Sequence, residues 1–245
     1  MRIHTFIDLD DTLFQTLPKC PPGEPNRCVA FRKDGAPLSY MTWRQERVFE
    51  TLAAAGPLIP VTARNLDAFR RVHLPFSSFA VLDFGGVILQ PDGAPDPVWD
   101  TELRPRAQAM SSEMDRLLGL LTVFVEKSCL GVRARIISDF DMPLYIVMKH
   151  PDADVAALQR IIDECLPEID LQRFFVHANH NNLSLVPRHL GKEHAVRFLL
   201  ERLGPEALSL GIGDSLTDLP FLRLCDFMMI PRGTQLAVAV EGCCP

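Results

Sequence analysis

A short apolar segment near the start of the chain ends in two closely spaced acidic residues. The segment from Ile3 to Ile7 has the length and composition of a buried parallel strand, and Asp8 and Asp10 follow it directly. In open α/β sheets, ligands bind beyond the carboxyl ends of the strands, so this position favours a binding edge. An ordinary solvated turn with acidic residues is the alternative interpretation.

The spacing of Asp8 and Asp10 indicates chemistry as well as position. Two carboxylates this close repel each other unless a cation or a proton lies between them. One carboxylate of such a pair can act as a nucleophile toward phosphorus. The other can protonate a leaving oxygen and then activate a water molecule.

A second acidic group follows a later predicted strand, in the segment Gly213-Asp214-Ser215-Leu216-Thr217-Asp218. Mg²⁺ prefers oxygen ligands, and Asp8, Asp214 and the backbone carbonyl of Asp10 would suit it. We expect Asp218, one helical turn later, to orient Lys192 or a metal-bound water rather than to bind the metal, with Ser215 in a supporting position. A helix N-cap would account for an acidic residue here equally well.

Two further residues carry polar groups at predicted element ends. Thr62 ends the apolar segment that starts at Leu58, and its hydroxyl can bind a phosphate oxygen without adding charge. Lys192 starts a predicted helix, where a cation is unfavourable against the helix dipole and can instead neutralise aspartate and phosphate charge. A helix cap for Thr62 and a solvated side chain for Lys192 are the alternatives.

Composition excludes several classes of protein. The chain of 245 residues is 47% hydrophobic and 23% charged, which is typical of a globular protein with one large domain or two small ones. The net charge of −6, with no basic run, argues against nucleic-acid binding. The longest near-apolar stretch, 117–125, is too short to span a membrane. Seven scattered cysteines without a CxxC pair favour a reducing, cytoplasmic location.

The order of predicted elements indicates the fold class. Strands alternate with helices at both ends of the chain, whereas the middle has hairpin-like strands and two amphipathic helices, the first over 105–126. We therefore expect an α/β fold, a Rossmann-like parallel sheet built from 1–83 and 188–245. An α+β cap domain over 84–187 is expected as an insertion.

These motifs, in this order, resemble those of the haloacid dehalogenase (HAD) superfamily of phosphohydrolases. That family's motifs are DxDx[TV], a strand-end Ser or Thr, a Lys at a helix start, and GDxxxD. They match Asp8, Asp10 and Thr12; Thr62; Lys192; and Gly213, Asp214 and Asp218.

The resemblance implies a role for each matched residue. Asp8 would be the nucleophile and Asp10 the acid/base, Thr62 and Lys192 would bind phosphate, and Asp214 would hold Mg²⁺. It implies a Mg²⁺-dependent phosphomonoester hydrolase that forms an aspartyl-phosphate. A phosphomutase using the same residues and a non-catalytic binding or regulatory protein are the competing interpretations.

The position of the insertion resembles the Cof-like and sucrose-phosphatase-like branch, as does the segment Val61-Thr62-Ala63-Arg64. This implies a sugar phosphate or a similar small phosphorylated metabolite as substrate. Asp83-Phe84-Gly85 departs from the Asn-Gly pair of many members. We consider Arg64, His177 and Asn179 as candidate substrate contacts, and each has an ordinary surface or turn position as its alternative.

Overall fold

The computed structural model describes residues 3–179 and 181–242. The strands in this part of the chain are β1 (Ile3–Ile7), β2 (Gln15–Thr16), β3 (Asn26–Phe31), β4 (Pro37–Thr42), β5 (Leu58–Pro60), β6 (Ala80–Leu82), β7 (Val87–Leu89), β8 (Arg133–Asp139), β9 (Met142–Lys149), β10 (Phe174–Asn179), β11 (Asn182–Pro187), β12 (Leu208–Ile212) and β13 (Phe227–Met229). The α-helices are α1 (Trp43–Ala55), α2 (Leu66–Phe69), α3 (Pro97–Lys127), α4 (Val155–Arg160), α5 (Lys192–Leu203), α6 (Leu219–Leu222) and α7 (Gln235–Glu241).

The chain forms two compact units. The first runs from the N-terminal strand to Trp99 and resumes at Gly191, and the second is Asp100–Leu190. The sequence predicted a catalytic core built from 1–83 and 188–245 and a cap over 84–187. Both the roles of these parts and their boundaries stay predictions.

A parallel sheet lies at the centre of the first unit, with strand order β13-β12-β1-β5. Successive residues of a strand point to opposite faces, and both faces of β1 are buried. Phe6 belongs to the apolar cluster that includes Val196 of α5, and Ile7 to the cluster that includes Phe49 of α1. Helices thus cover both faces, which confirms the predicted Rossmann-like sheet.

A small antiparallel sheet, in the order β2-β4-β3, follows the first strand of the core. Its hairpin turns at Gly35, which has a φ of 82°. The Thr42 side chain then caps α1 by accepting from the Gln45 backbone, and the Gln45 side chain accepts from the Thr42 backbone. The Gly35 turn thus joins β3 to β4, and the reciprocal Thr42 and Gln45 contacts fix the start of α1.

The second unit is an antiparallel sheet, β10-β11-β9-β8, packed with helical segments. Ile136, Ile146 and Leu185 pair across three neighbouring strands, so they form one apolar row. The same core contains Met110 and Met114 of α3. The unit therefore has the expected α+β composition.

Helix α3 begins eight residues before the predicted start at Pro105, so this prediction is wrong. The Asp96 carboxylate accepts hydrogen bonds from the backbone of Val98 and Trp99 and starts the helix at Pro97, where a proline is favourable. Pro105 lies inside a helix of 31 residues and does not end it. Neither α3 nor any other helix within 3–179 and 181–242 is both long and apolar enough to cross a bilayer.

Three consecutive residues after β6 adopt left-handed backbone conformations: Asp83, Phe84 and Gly85 have φ of 54°, 56° and 92°. The Asp83 and Phe84 backbone N–H groups donate to the carbonyls of Arg64 and Thr62. The Trp99 indole N–H donates to the Gly85 carbonyl at 3.1 Å. This strained turn therefore supports the loop that follows β5.

We predict that Gly85→Ala destabilises the protein more than Gly93→Ala does. Both glycines have positive φ, so both variants carry backbone strain of about 1 kcal/mol or more. A Cβ at Gly85 would also lie 2.3 Å from the Gly191 carbonyl oxygen, whereas one at Gly93 would meet nothing within 4 Å. Urea unfolding of both variants measures the difference, and equal losses would show that the Gly85 contact has no energetic weight.

Candidate active site

A buried lysine joins two carboxylates beyond the carboxyl end of the core sheet. Lys192, at the N-terminus of α5, donates from Nζ to Asp8 Oδ1 and to Asp218 Oδ1, each at 2.6 Å. The three side chains are at most 7% exposed. Burial alone would lower the pKa of Lys192, but the charges and hydrogen bonds of Asp218 and Asp8 raise it, so the ammonium form is held.

Asp218 is fully satisfied as a carboxylate. Its second oxygen, Oδ2, accepts from Ser215 Oγ at 2.7 Å and from the Ser215 and Asp214 backbone at 3.0 and 3.2 Å. Burial opposes ionisation, yet Lys192 and the Ser215 hydrogen bonds lower its pKa. Asp218 and Ser215 thus stabilise the loop after β12, and Asp218 also binds the Lys192 ammonium. Its predicted role in orienting Lys192 or a metal-bound water stays a prediction.

The carboxylates of Asp8 and Asp214 accept fewer hydrogen bonds from the described residues than that of Asp218 does. The Lys192 ammonium is the one side-chain donor to Asp8 among the described residues. Burial, and then the charges of Asp218 and Asp214, raise the pKa of Asp8 although Lys192 opposes the shift. Burial and the neighbouring charges of Asp218 and Asp11 raise the pKa of Asp214 to about 6.

The donor set fits a hard divalent cation. Asp8, Asp214 and Asp218 each offer a carboxylate oxygen, and these oxygens lie within 4.8 Å of one another. Oxygen donors alone, with raised pKa values at two of them, suit Mg²⁺. The sequence had assigned Asp218 no metal contact, whereas the structure brings its carboxylate into this group. Ligation by the carbonyl of Asp10 stays a prediction.

A threonine of the first motif orients one of these carboxylates. Thr12 Oγ1 donates to Asp214 Oδ1 at 3.2 Å, across 202 positions of sequence. No role for Thr12 was predicted from the sequence, although its place in the first motif was a signal for one. The contact links the loop after β1 to the loop after β12.

Asp10 does not join the buried carboxylates but forms an ion pair with Arg64. Arg64 Nε and Nη2 donate to the two oxygens of Asp10, each at 2.7 Å. The Asp10 side chain is 44% exposed and that of Arg64 is 11% exposed. In this arrangement Arg64 faces a protein carboxylate, and its predicted contact with a substrate remains untested.

The neighbouring acidic residue, Asp11, has its own cation. Lys19 Nζ lies 2.6 Å from Asp11 Oδ2, and Asp11 has a φ of 62°. The contact of Lys19 with Asp11 was not predicted from the sequence, because it depends on the helical turn Leu17–Lys19 that follows β2. This edge of the sheet therefore has a formal charge of −2. It carries five carboxylates and three cationic side chains, namely Asp8, Asp10, Asp11, Asp214 and Asp218 with Lys19, Arg64 and Lys192.

Thr62 follows β5 at the same edge of the sheet and is 1% exposed. Its hydroxyl accepts from the Arg64 backbone at 3.1 Å, in the loop that the left-handed turn supports. His177 and Asn179 lie on β10 in the second unit. Phosphate binding by Thr62 and Lys192, and substrate contact by His177 and Asn179, stay predictions.

No protein-family model matches the sequence, and a search of curated proteins finds no match. Solved structures match it over most of its length. The sucrose-phosphatase of Synechocystis sp. PCC6803, in complex with sucrose and phosphate, is 16% identical, with coverage of 99% of this chain and 97% of that one and a TM-score of 0.54. The C-terminal domain of the C. albicans trehalose-6-phosphate phosphatase is 14% identical, with coverage of 91% and 72% and a TM-score of 0.59.

A haloacid dehalogenase-like hydrolase from Bacteroides thetaiotaomicron is 14% identical, with coverage of 99% of both chains and a TM-score of 0.50. The chain has the haloacid dehalogenase fold. These neighbours confirm the HAD fold that the four motifs predicted. The HAD core sheet accounts for the convergence of Asp8 and Asp214, because both follow strands of that sheet.

We predict that Asp214 makes the metal-free protein less stable as the pH rises from about 4 to 7. Its pKa of about 6 in the folded state exceeds the ordinary value of 3.8, so folding favours the protonated form. Stability from this proton is present below pH 4 and is lost as the pH rises through 6.

The measurement is the free energy of unfolding in EDTA, for the native protein and Asp214→Asn, across this pH range. The difference between the two should move in favour of Asp214→Asn as the pH increases. Parallel pH profiles would contradict the prediction.

Proposed function

We propose that the chain is a Mg²⁺-dependent phosphomonoester hydrolase that acts through an aspartyl-phosphate on Asp8. The observation that carries this proposal is the buried contact of Lys192 with Asp8 and Asp218, next to Asp214. A binding module gains little from clustered, mutually repelling carboxylates. The HAD fold, which supports phosphoryl transfer in its named neighbours, agrees with this interpretation.

Asp8 is the best candidate for the nucleophile. Asp218 is held by four hydrogen bonds, whereas Oδ2 of Asp8 accepts none from the residues that the structure describes. Lys192 fixes Oδ1 of Asp8 and so orients the free oxygen. An oriented carboxylate oxygen with no competing donor is suited to in-line attack on phosphorus.

The reaction proceeds in two halves. In the first, an oxygen of Asp8 forms a bond to phosphorus, the ester P–O bond breaks, and Asp10 gives a proton to the leaving alcohol. In the second, Asp10 takes a proton from water, whose oxygen attacks phosphorus and releases Asp8 and inorganic phosphate. Lys192 and Thr62 hold oxygens of the transferring phosphoryl group.

Asp8 and Asp214, with Asp218 close by, would hold Mg²⁺. When bound, the ion supplies Lewis-acid stabilisation of phosphoryl charge and lowers the repulsion between these carboxylates. Its charge of +2 also balances the formal charge of −2 at the site.

We propose a sugar phosphate, or a small phosphorylated metabolite of similar polarity, as the substrate. The support is that two neighbours with this fold are named for sucrose phosphate and trehalose 6-phosphate. Nothing in the net charge of −6 favours a nucleic-acid partner.

The first experiment measures phosphate release from hexose and disaccharide phosphates and p-nitrophenyl phosphate, with Mg²⁺ or EDTA. Asp8→Asn should lose at least about 10³-fold in kcat, because the covalent route is lost. Asp92→Asn, the same change in an exposed turn, is the matched control and should keep native activity. Full activity in Asp8→Asn would overturn the proposal, and activity only with a sugar bisphosphate would indicate a phosphomutase.

A second prediction concerns metal binding without turnover. Mg²⁺ should raise the Tm, because a ligand that binds only the folded state stabilises it, and EDTA should reverse the rise. Asp214→Asn should lose most of this shift, whereas Asp92→Asn should keep it. An equal Mg²⁺ shift in Asp214→Asn, measured by calorimetry, would contradict the assigned metal site.

A further inference from the structure

The guanidinium of Arg64 is immobilised by its surroundings as well as by Asp10. Besides the two bonds to Asp10, Nη1 donates to the Ala68 carbonyl at 3.4 Å. The guanidinium carbon lies 5.1 Å from the centre of the buried Phe14 ring, within cation–π range. Burial opposes the charge of Arg64, but the hydrogen bonds and charge of Asp10 raise its pKa, so the cation persists.

This arrangement fixes a carboxylate that would otherwise rotate. The terminal torsion of aspartate is broad, and the 44% exposed side chain of Asp10 has few other restraints. A planar guanidinium that binds both oxygens at once sets the plane of the carboxylate, which a lysine ammonium cannot do. Arg64 lies 54 positions from Asp10 in sequence, so the contact depends on the fold and not on local geometry.

The loop that carries Arg64 is itself held in place. The Arg64 backbone N–H donates to Thr62 Oγ1, and the Arg64 carbonyl accepts from the Asp83 backbone N–H in the left-handed turn. The strained turn therefore helps to hold Arg64 in the position from which it binds Asp10. Strain of this kind persists where the surrounding structure requires one exact conformation.

We propose that Arg64 is a positioning residue that aims the carboxyl group of Asp10 for proton transfer. This inference rests on the proposed function. After Asp10 gives its proton to the leaving oxygen, Arg64 holds the resulting carboxylate in place until it takes a proton from the attacking water. The proton count of Asp10 returns to its starting value at the end of the cycle.

The geometry does not favour a direct substrate contact for Arg64. Three of its nitrogens are engaged by protein oxygens, and the side chain is 11% exposed. A substrate contact would need Asp10 to be displaced first. The two roles differ in kinetics, since loss of a substrate contact raises KM and loss of positioning lowers kcat.

A double-mutant cycle tests the proposal, with Arg64→Lys, Arg64→Ala, Asp10→Asn and the two combined pairs. Arg64→Lys keeps the charge and removes the planar two-point contact. We expect it to lower kcat for an alkyl phosphate about 10- to 100-fold with KM nearly unchanged. In the Asp10→Asn background, the same change should have almost no further effect, because Arg64 acts through Asp10.

Leaving-group dependence gives a readout that a purely structural role would not move. The p-nitrophenolate ion leaves without needing a proton, so its first-turnover burst should fall far less in Arg64→Lys than the rate with the alkyl phosphate. Arg160→Lys is the matched control, because Arg160 forms an exposed two-point ion pair with Glu164, at 2.8 and 3.0 Å. It should leave both rates unchanged.

Several outcomes would overturn the inference. These are an equal loss with and without Asp10, a rise in KM at constant kcat, and equal losses for the two leaving groups. If Arg64→Ala fails to fold, Arg64→Lys carries the test. Asp8→Asn separates the two proposals: if it is inactive and the cycle is additive, the proposed function stands and only the role of Arg64 fails.

Discussion

The buried contact of Lys192 with Asp8 and Asp218 is the interaction on which the site depends. Burying charge is costly, and a buried ammonium between two carboxylates is tolerated only when geometry and further hydrogen bonds are good. Here the first strand, the start of α5 and the loop after β12 each supply one partner. Removing the ammonium would leave two adjacent buried anions, so the three segments hold their positions only together.

Three ion pairs lie along this edge of the sheet. The pair of Asp8 with Lys192 is buried, whereas those of Asp10 with Arg64 and of Asp11 with Lys19 are each partly exposed. Each cation comes from a different element, so one short acidic segment ties together distant parts of the chain. Partly exposed pairs contribute little stability, and the pair of Asp11 with Lys19 therefore matters more for orientation than for folding.

Much of this arrangement could be predicted from local signals. Each signal depends only on neighbouring residues: an apolar run before Asp8, a glycine before Asp214 and a helix start at Lys192. The parallel sheet then brings these three residues together. The partner of Asp11 could not be predicted, because Lys19 reaches it only through a short helical turn. The start of α3 was predicted too late because a proline usually lies in the first turn of a helix. Here the Asp96 carboxylate caps the helix earlier, and Pro105 lies inside it.

The close approach of Gly85 to Gly191, with the Trp99 indole bonded to Gly85, has a consequence for how such a chain can diversify. The polypeptide leaves the first unit after Trp99 and re-enters it at Gly191, so its points of departure and return are neighbours. The entropic cost of bringing these two points together grows only slowly with the length of the chain between them. Residues 100–190 can therefore change in length and sequence during evolution, while Asp8, Lys192 and Asp218 of the first unit keep their positions.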